Sequence, residues 1–231
     1  MAEELEYQSI DLKNLLGRTL NDIEEKFAPK IIYHKGSIQI PLPCARVAVI
    51  GTREPTEEGI SAARQVSKTL VENDVIIVSG LAKGIDSVGH KTAIENGGKT
   101  IAVIGTPLNK TYPKENTDLQ EELMKNHLVI SQFPVGHITT KKDFVFRNRT
   151  MALISDASVI VEAGEGSGTL YQGWEALRLG RPLFICKSVV HNPKLEWPKE
   201  MIKYGAIELD ESVDILEHLP SNVKMPELFQ L

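Results

Sequence analysis

The sequence predicts an α/β protein: a doubly wound, mostly parallel sheet with a short helical N-terminal lead-in. Three observations carry this. Residues 47–50, 75–79, 100–104, 128–131, 158–162 and 182–186 are short, mostly apolar runs with no polar alternation, the pattern of strands buried on both faces. Helix-patterned segments separate these runs, and strict strand–helix alternation means parallel crossovers. Four strand ends carry glycine: Gly51, Gly80, Gly105 and the loop 164–168. In such sheets ligands sit beyond the carboxyl ends of the strands.

Composition sets limits on function. With 231 residues there is room for one α/β domain, expected over 46–220, with an N-terminal extension at 1–45 and a tail at 221–231. The 26 basic and 31 acidic residues leave a net charge of −5, so any nucleic-acid site is a local basic patch on an acidic body. Cys44 and Cys186 lie far apart with no C-x-x-C spacing, which argues against a disulfide or zinc framework and suits the reducing cytoplasm. The six histidines show no metal-binding spacing, and neither metal nor cofactor is expected. The acidic, polar N-terminus is no signal peptide, and no apolar run reaches membrane-spanning length, so no membrane association is expected.

In chain order, Leu12, Leu15, Leu16 and Leu20 recur at helical spacing, with Gly17 inside the run. Asn21 or Asp22 starts a second helix through Ile23 and Phe27. Residues 31–33 and 37–40 are expected as edge strands around Gly36, with Pro41 and Pro43 as a linker. This region shows no chemistry, only packing or dimer contact. Strand 47–50 is followed by a helix over 60–72, capped by Thr52 or Thr56. Strand 75–79 ends in the turn Gly80–Gly84, and Ile85 and Asp86 open a helix to Glu95. Strand 100–104, a loop with Tyr112 and Pro113, a helix over 117–125 and strand 128–131 come next. A polar loop at 133–143, a helix over 144–155, strand 158–162, a helix over 169–179 and strand 182–186 follow. A short strand within 205–209 and a helix over 211–218 close the chain.

The candidate site gathers on the strand-end turns. Gly51, Thr52 and Arg53 pass from a strand into a helix, a geometry that presents N–H groups to an anion. Arg53 stands where a dinucleotide fingerprint has its second glycine, which favours a phosphate gripped by a side-chain fork. The plainer alternative is a turn glycine beside a solvated rim charge. Ser79, Gly80, Lys83 and Gly84 form a second turn; Ile85 after Gly84 excludes a Walker A loop. Lys141, Lys142, Arg147, Asn148 and Arg149 form a basic cluster interleaved with Phe144 and Phe146, a mix that suits backbone phosphates and stacked bases. On a helix, Arg147 and Arg149 point about 200° apart, so one serves the site and the other braces a loop or an acid such as Glu162. Gly166, Ser167, Gly168 and Thr169 open a helix with N–H groups and hydroxyls suited to phosphate or ribose. No catalytic constellation stands out. Glu162 and Glu175 are the only acid–base candidates.

These segments, VAVIGTREPTEEG, VSGLAKGIDSVGHKTAIENGGKTIAVIGTPLNKTYPKEN, ISQFPVG, FVFRNRTMALISDASVIVEAGEGSGTL and EALRLGRP, resemble the DNA-processing protein A family over about residues 30–218. The resemblance implies an extended Rossmann-like domain. It also implies a non-enzymatic protein that binds single-stranded DNA, dimerises and hands the strand to a RecA-like recombinase in natural transformation. Its Gly-Thr-Arg, Ser-Gly-Leu-Ala and Arg-Asn-Arg pieces map onto residues 51–53, 79–82 and 147–149. The chain departs from the family at Gln132, at Tyr171 and Gln172, and at Cys186 and Lys187. The family's flanking helix-hairpin-helix and winged-helix domains are not expected here. A second resemblance, through Arg147, Met151 and Gly168-Thr169-Leu170, is to lysine-decarboxylase-like phosphoribohydrolases. It would imply a nucleotide sensor or a nucleoside monophosphate hydrolase, although Tyr171 and Gln172 stand where those enzymes place a glutamate.

Overall fold

The computed structural model describes residues 7–43 and 45–220. The expectations for Cys44, the extreme N-terminus and the tail 221–231 lie outside these residues. Strand β1 (Gln8–Ile10) leads into helices α1 (Leu12–Leu16) and α2 (Asp22–Phe27), and strand β2 (Ile32–Gly36) follows. Asp11 caps α1 by accepting the Asn14 N–H at 2.8 Å, and Gly17 ends it in the left-handed conformation at φ 67°. The leucine run therefore stops at Leu16 and does not reach Leu20. Asn21 caps α2, and Glu24 completes its capping box. Residues 37–40, expected as a strand, are not one: the Ser37 and Ile38 N–H groups both donate to the His127 carbonyl at a bend.

The main alternation then runs β3 (Arg46–Gly51), α3 (Glu57–Glu72), β4 (Ile76–Ser79), α4 (Ile85–Glu95), β5 (Thr100–Ile104), α5 (Thr117–Asn126) and β6 (Leu128–Ser131). It continues with α6 (Lys141–Ile154), β7 (Ala157–Glu162), α7 (Thr169–Arg178), β8 (Leu183–Cys186), α8 (Lys187–Val190), α9 (Trp197–Lys203) and β9 (Ile207–Leu209). Thr56 caps α3, its hydroxyl accepting the Gly59 N–H at 3.1 Å, so this helix starts earlier than residue 60. Helix α6 starts at Lys141, which shortens the expected polar loop. The segment expected as a helix over 211–218 is a 3₁₀ helix, Ser212–His218.

The nine strands among the described residues join one sheet in the order β1-β2-β6-β5-β4-β3-β7-β8-β9. Pairs from β6 to β9 are parallel, and β1 and β2 add an antiparallel edge. Alternate side chains of β3 feed two cores. Val47 and Val49 pack with α3 and α4, while Ala48 and Ile50 face the side covered by α1, α6, α7 and α9. Both faces are thus covered, as the unbroken apolar runs require. From β3 the order steps outward to β4, β5 and β6 on one side and to β7, β8 and β9 on the other. The reversal puts a crevice at the carboxyl ends of β3 and β7. No described helix is long and apolar enough to cross a membrane.

Candidate nucleic-acid interface

Hydrogen bonds stitch three strand-end turns together at that crevice. The Thr52 N–H donates to the Glu162 carbonyl at 2.7 Å, joining the ends of β3 and β7. The Thr169 hydroxyl donates to the Gly51 carbonyl at 3.0 Å, bringing in the start of α7. The Ile85 N–H donates to the Thr52 carbonyl at 3.2 Å, bringing in the Gly80–Gly84 turn. Gly84 has φ +75°, and a Cβ there would collide with the Thr52 carbonyl, so only glycine fits this approach.

Two clefts open on this rim. The first, about 640 Å³, is lined among others by Gly51, Thr52, Arg53, Arg147, Asn148 and the residues 167–169. The second, about 670 Å³, runs over Gly80, Lys83, Tyr112, Lys114 and Glu115. Arg53, Ala82, Phe144 and Arg147 line both, which makes the two a single groove. Arg53 is exposed and makes no hydrogen bond or ion pair among the described residues. It is a free cation where the two clefts meet.

Arg147 is buried beneath it. Its Nη1 donates to the carbonyls of Val103, at 2.8 Å, and Gly80, and its Nε donates to the Asn148 amide oxygen at 3.0 Å. Asn148 passes the link on, its amide donating to the Gly168 carbonyl at 3.1 Å. The Asp86 carboxylate accepts the N–H groups of Gly80 at 3.1 Å and Ala82 at 3.3 Å, which shapes the second turn. Burial raises the Asp86 pKa, against the Arg147 charge and those N–H bonds, which lower it. Burial likewise lowers the Arg147 pKa. Asp86 opposes that shift, and the nearby Arg53 adds to it.

Not every predicted residue reaches the groove. Ser79 is fully buried, its hydroxyl donating to the Val49 carbonyl at 2.7 Å. Lys142 lines neither cleft, whereas Lys141 lines the first. Arg149 points the other way, as the 200° spacing requires. It pairs with Glu175 at 3.3 Å and lies over the Phe27 ring at 4.7 Å. Its acid is Glu175, not Glu162. Lys83 reaches the second cleft but is paired with Glu115 at 2.5 Å. Gly166 and Gly168 have open space above them, which leaves the loop accessible. Neither acid–base candidate lines the groove: Glu162 accepts the Thr56 N–H and hydroxyl, and Glu175 is held by Arg149 and Arg178. Sequence reasoning missed Tyr112, Lys114 and Tyr171 as lining residues. Their only signal was their place in loops or helix starts beyond the strand ends.

The model of the family described as DNA recombination-mediator protein A matches residues 13–220. The chain belongs to that family. It is 37% identical over 196 residues to the DNA processing protein DprA of Streptococcus pneumoniae, covering 84% of this chain and 69% of that one. The solved structure of DNA processing protein A from that organism superposes with a TM-score of 0.79 at 32% identity, covering 94% of this chain and 76% of that one. DNA processing protein A from Helicobacter pylori gives a TM-score of 0.76 at 24% identity, over 93% and 95% of the two chains, a likeness of fold. The relatives' names describe DNA processing and no enzymatic reaction.

Proposed function

We propose that the groove binds a single strand of DNA without acting on it chemically. The observation that carries this is the free Arg53 at the junction of two clefts, both bordered by glycine turns, with Phe144 lining both and Tyr112 the second. Phosphates would lie on the backbone turns and cations, and bases on the aromatic rings, whose centroids are 5.3 Å apart. The Helicobacter pylori protein of this fold is described by its single-stranded DNA binding mode, which supports the reading. The family's description as a recombination mediator supports a further step, in which a homodimer in the cytoplasm hands the strand to a RecA-like recombinase during DNA uptake. The binding unit is residues 46–220, with 1–45 as its extension.

The phosphoribohydrolase reading has less behind it. Gln172 is buried with its amide 3.5 Å from the Ser158 hydroxyl, and Glu175 is engaged by two arginines outside the groove. A salt titration of oligo-dT binding tests the proposal. Affinity should fall steeply with salt, and Arg53→Ala should weaken binding and make the log–log slope shallower by about 0.7, the value for one phosphate contact on a single strand. Equal affinity and slope in the two proteins would contradict it.

A further inference from the structure

Lys83 and Glu115 meet across the second cleft, Nζ to Oε1 at 2.5 Å, with both side chains more than half exposed. The contact is built into the fold. Lys83 sits on the turn in which Leu81 holds a left-handed φ of +57° and Gly84 abuts Thr52. Asn116, next to Glu115, donates its amide to the Leu81 carbonyl at 2.9 Å and to the Ser87 hydroxyl at 3.0 Å. The two backbones are thereby pinned together, and the two side chains are left to pair or part. The second cleft otherwise carries Arg53, Lys83, Lys114 and Arg147, and among the described residues Glu115 is the one carboxylate lining it.

We propose that Glu115 is an internal competitor of the strand: it occupies Lys83 in the free protein and yields it to a phosphate when DNA enters the second cleft. The proposal rests on the strand-binding reading of the groove. Its physical consequence concerns salt. A lysine that neutralises a phosphate releases a counterion from the strand. Here the same exchange bares Glu115, which takes up a cation, so the Lys83 contact is nearly neutral to salt in the native protein. With no carboxylate to bare, the contact regains its salt dependence.

The test is oligo-dT binding across a salt series, for wild type, Glu115→Gln, and Glu115→Gln with Lys83→Ala. Both side chains are exposed, so the folded chain tolerates these changes. Glu115→Gln should bind about two- to fivefold more tightly at low salt, with a log–log slope steeper by about 0.7. Both gains should vanish in the double variant. Equal affinity or equal slope in Glu115→Gln and wild type would overturn the proposal. So would a gain that persists without Lys83, which would make Glu115 only a general repulsive charge. If wild type shows no strand binding at all, the reading of the groove falls, and this proposal falls with it. If wild type binds but Glu115→Gln does not differ, the competition alone fails.

Discussion

Arg147 and Arg53 are two residues of one charge with opposite tasks. Arg147 ties the end of β4 to β5 through the Gly80 and Val103 carbonyls, and its charge favours the ionised form of the buried Asp86. Arg147→Ala leaves those acceptors and that carboxylate uncompensated, and should cost about 3 kcal/mol of stability. Urea unfolding checks this, and an unchanged midpoint would show that the arginine is dispensable to the fold. His90 has a different consequence. The Thr100 hydroxyl donates to the Ile77 carbonyl at 3.0 Å, so it accepts from His90 Nδ1–H at 2.7 Å, and the buried Nε2 has no partner among the described residues. Burial, with smaller contributions from His127 and Arg147, lowers its pKa from 6.5 to about 3. The folded imidazole resists a proton that the unfolded chain accepts, so stability falls as pH drops from about 6.5 toward 3. The lowered pKa values of His34 and His127, also caused by burial, act in the same direction. His90→Asn keeps a donor toward Thr100 and should make the loss of melting temperature between pH 7 and pH 5 visibly smaller. An identical loss would exclude His90 as a source.

Among the elements, α6 carries the division of labour. Arg147 and Asn148 look into the groove, while Arg149 leaves by the opposite side to join Arg178 over Phe27 of α2, with Glu175 between the guanidinium groups. A second clasp binds the lead-in: the buried Glu24 accepts Arg18 at 2.6 Å and Arg181 at 2.7 Å. The Arg18 bond leads in holding its pKa down to about 2, so this contribution to stability is present above about pH 4.5 and is lost as pH falls toward 2. Arg149→Ala should therefore lower stability by about 1 kcal/mol and leave oligo-dT affinity within about twofold, the reverse of Arg53→Ala. A large loss of affinity in Arg149→Ala would mean that the groove extends onto the other face. The apolar runs showed the parallel strands because residues buried on both faces leave no polar alternation to confuse the pattern. β1 was not legible: QSI at an edge carries two exposed polar residues and pairs only with β2. The short helix α8 follows β8 directly and α9 follows α8, neither with a capping side chain to announce it, although Pro198 stands in the first turn of α9.

Across the whole molecule, an acidic chain gathers Arg53, Lys83, Lys114 and Lys141 along one rim. The order of strands places Gly51, Gly80 and the loop 164–168 there together, and that much was readable from strand ends alone. Which arginine faces inward was not readable, because the 200° spacing separates the two without choosing between them, and the start of α6 decides it. Lys141 lines the groove and Lys142 does not for the same reason: one residue on a helix turns a side chain by about 100°. Tyr112 gained its place only once the loop after β5 was folded against Phe144. The central claim is that these turns form one strand-binding groove at the point where the sheet order reverses. Amide hydrogen exchange with and without saturating oligo-dT tests it most directly. The account predicts slowed exchange in residues 51–54, 80–84, 111–116 and 164–169, with β1 and β9 unchanged. Slowing confined to the β1–β2 edge or to β9, with the rim unaffected, would contradict it.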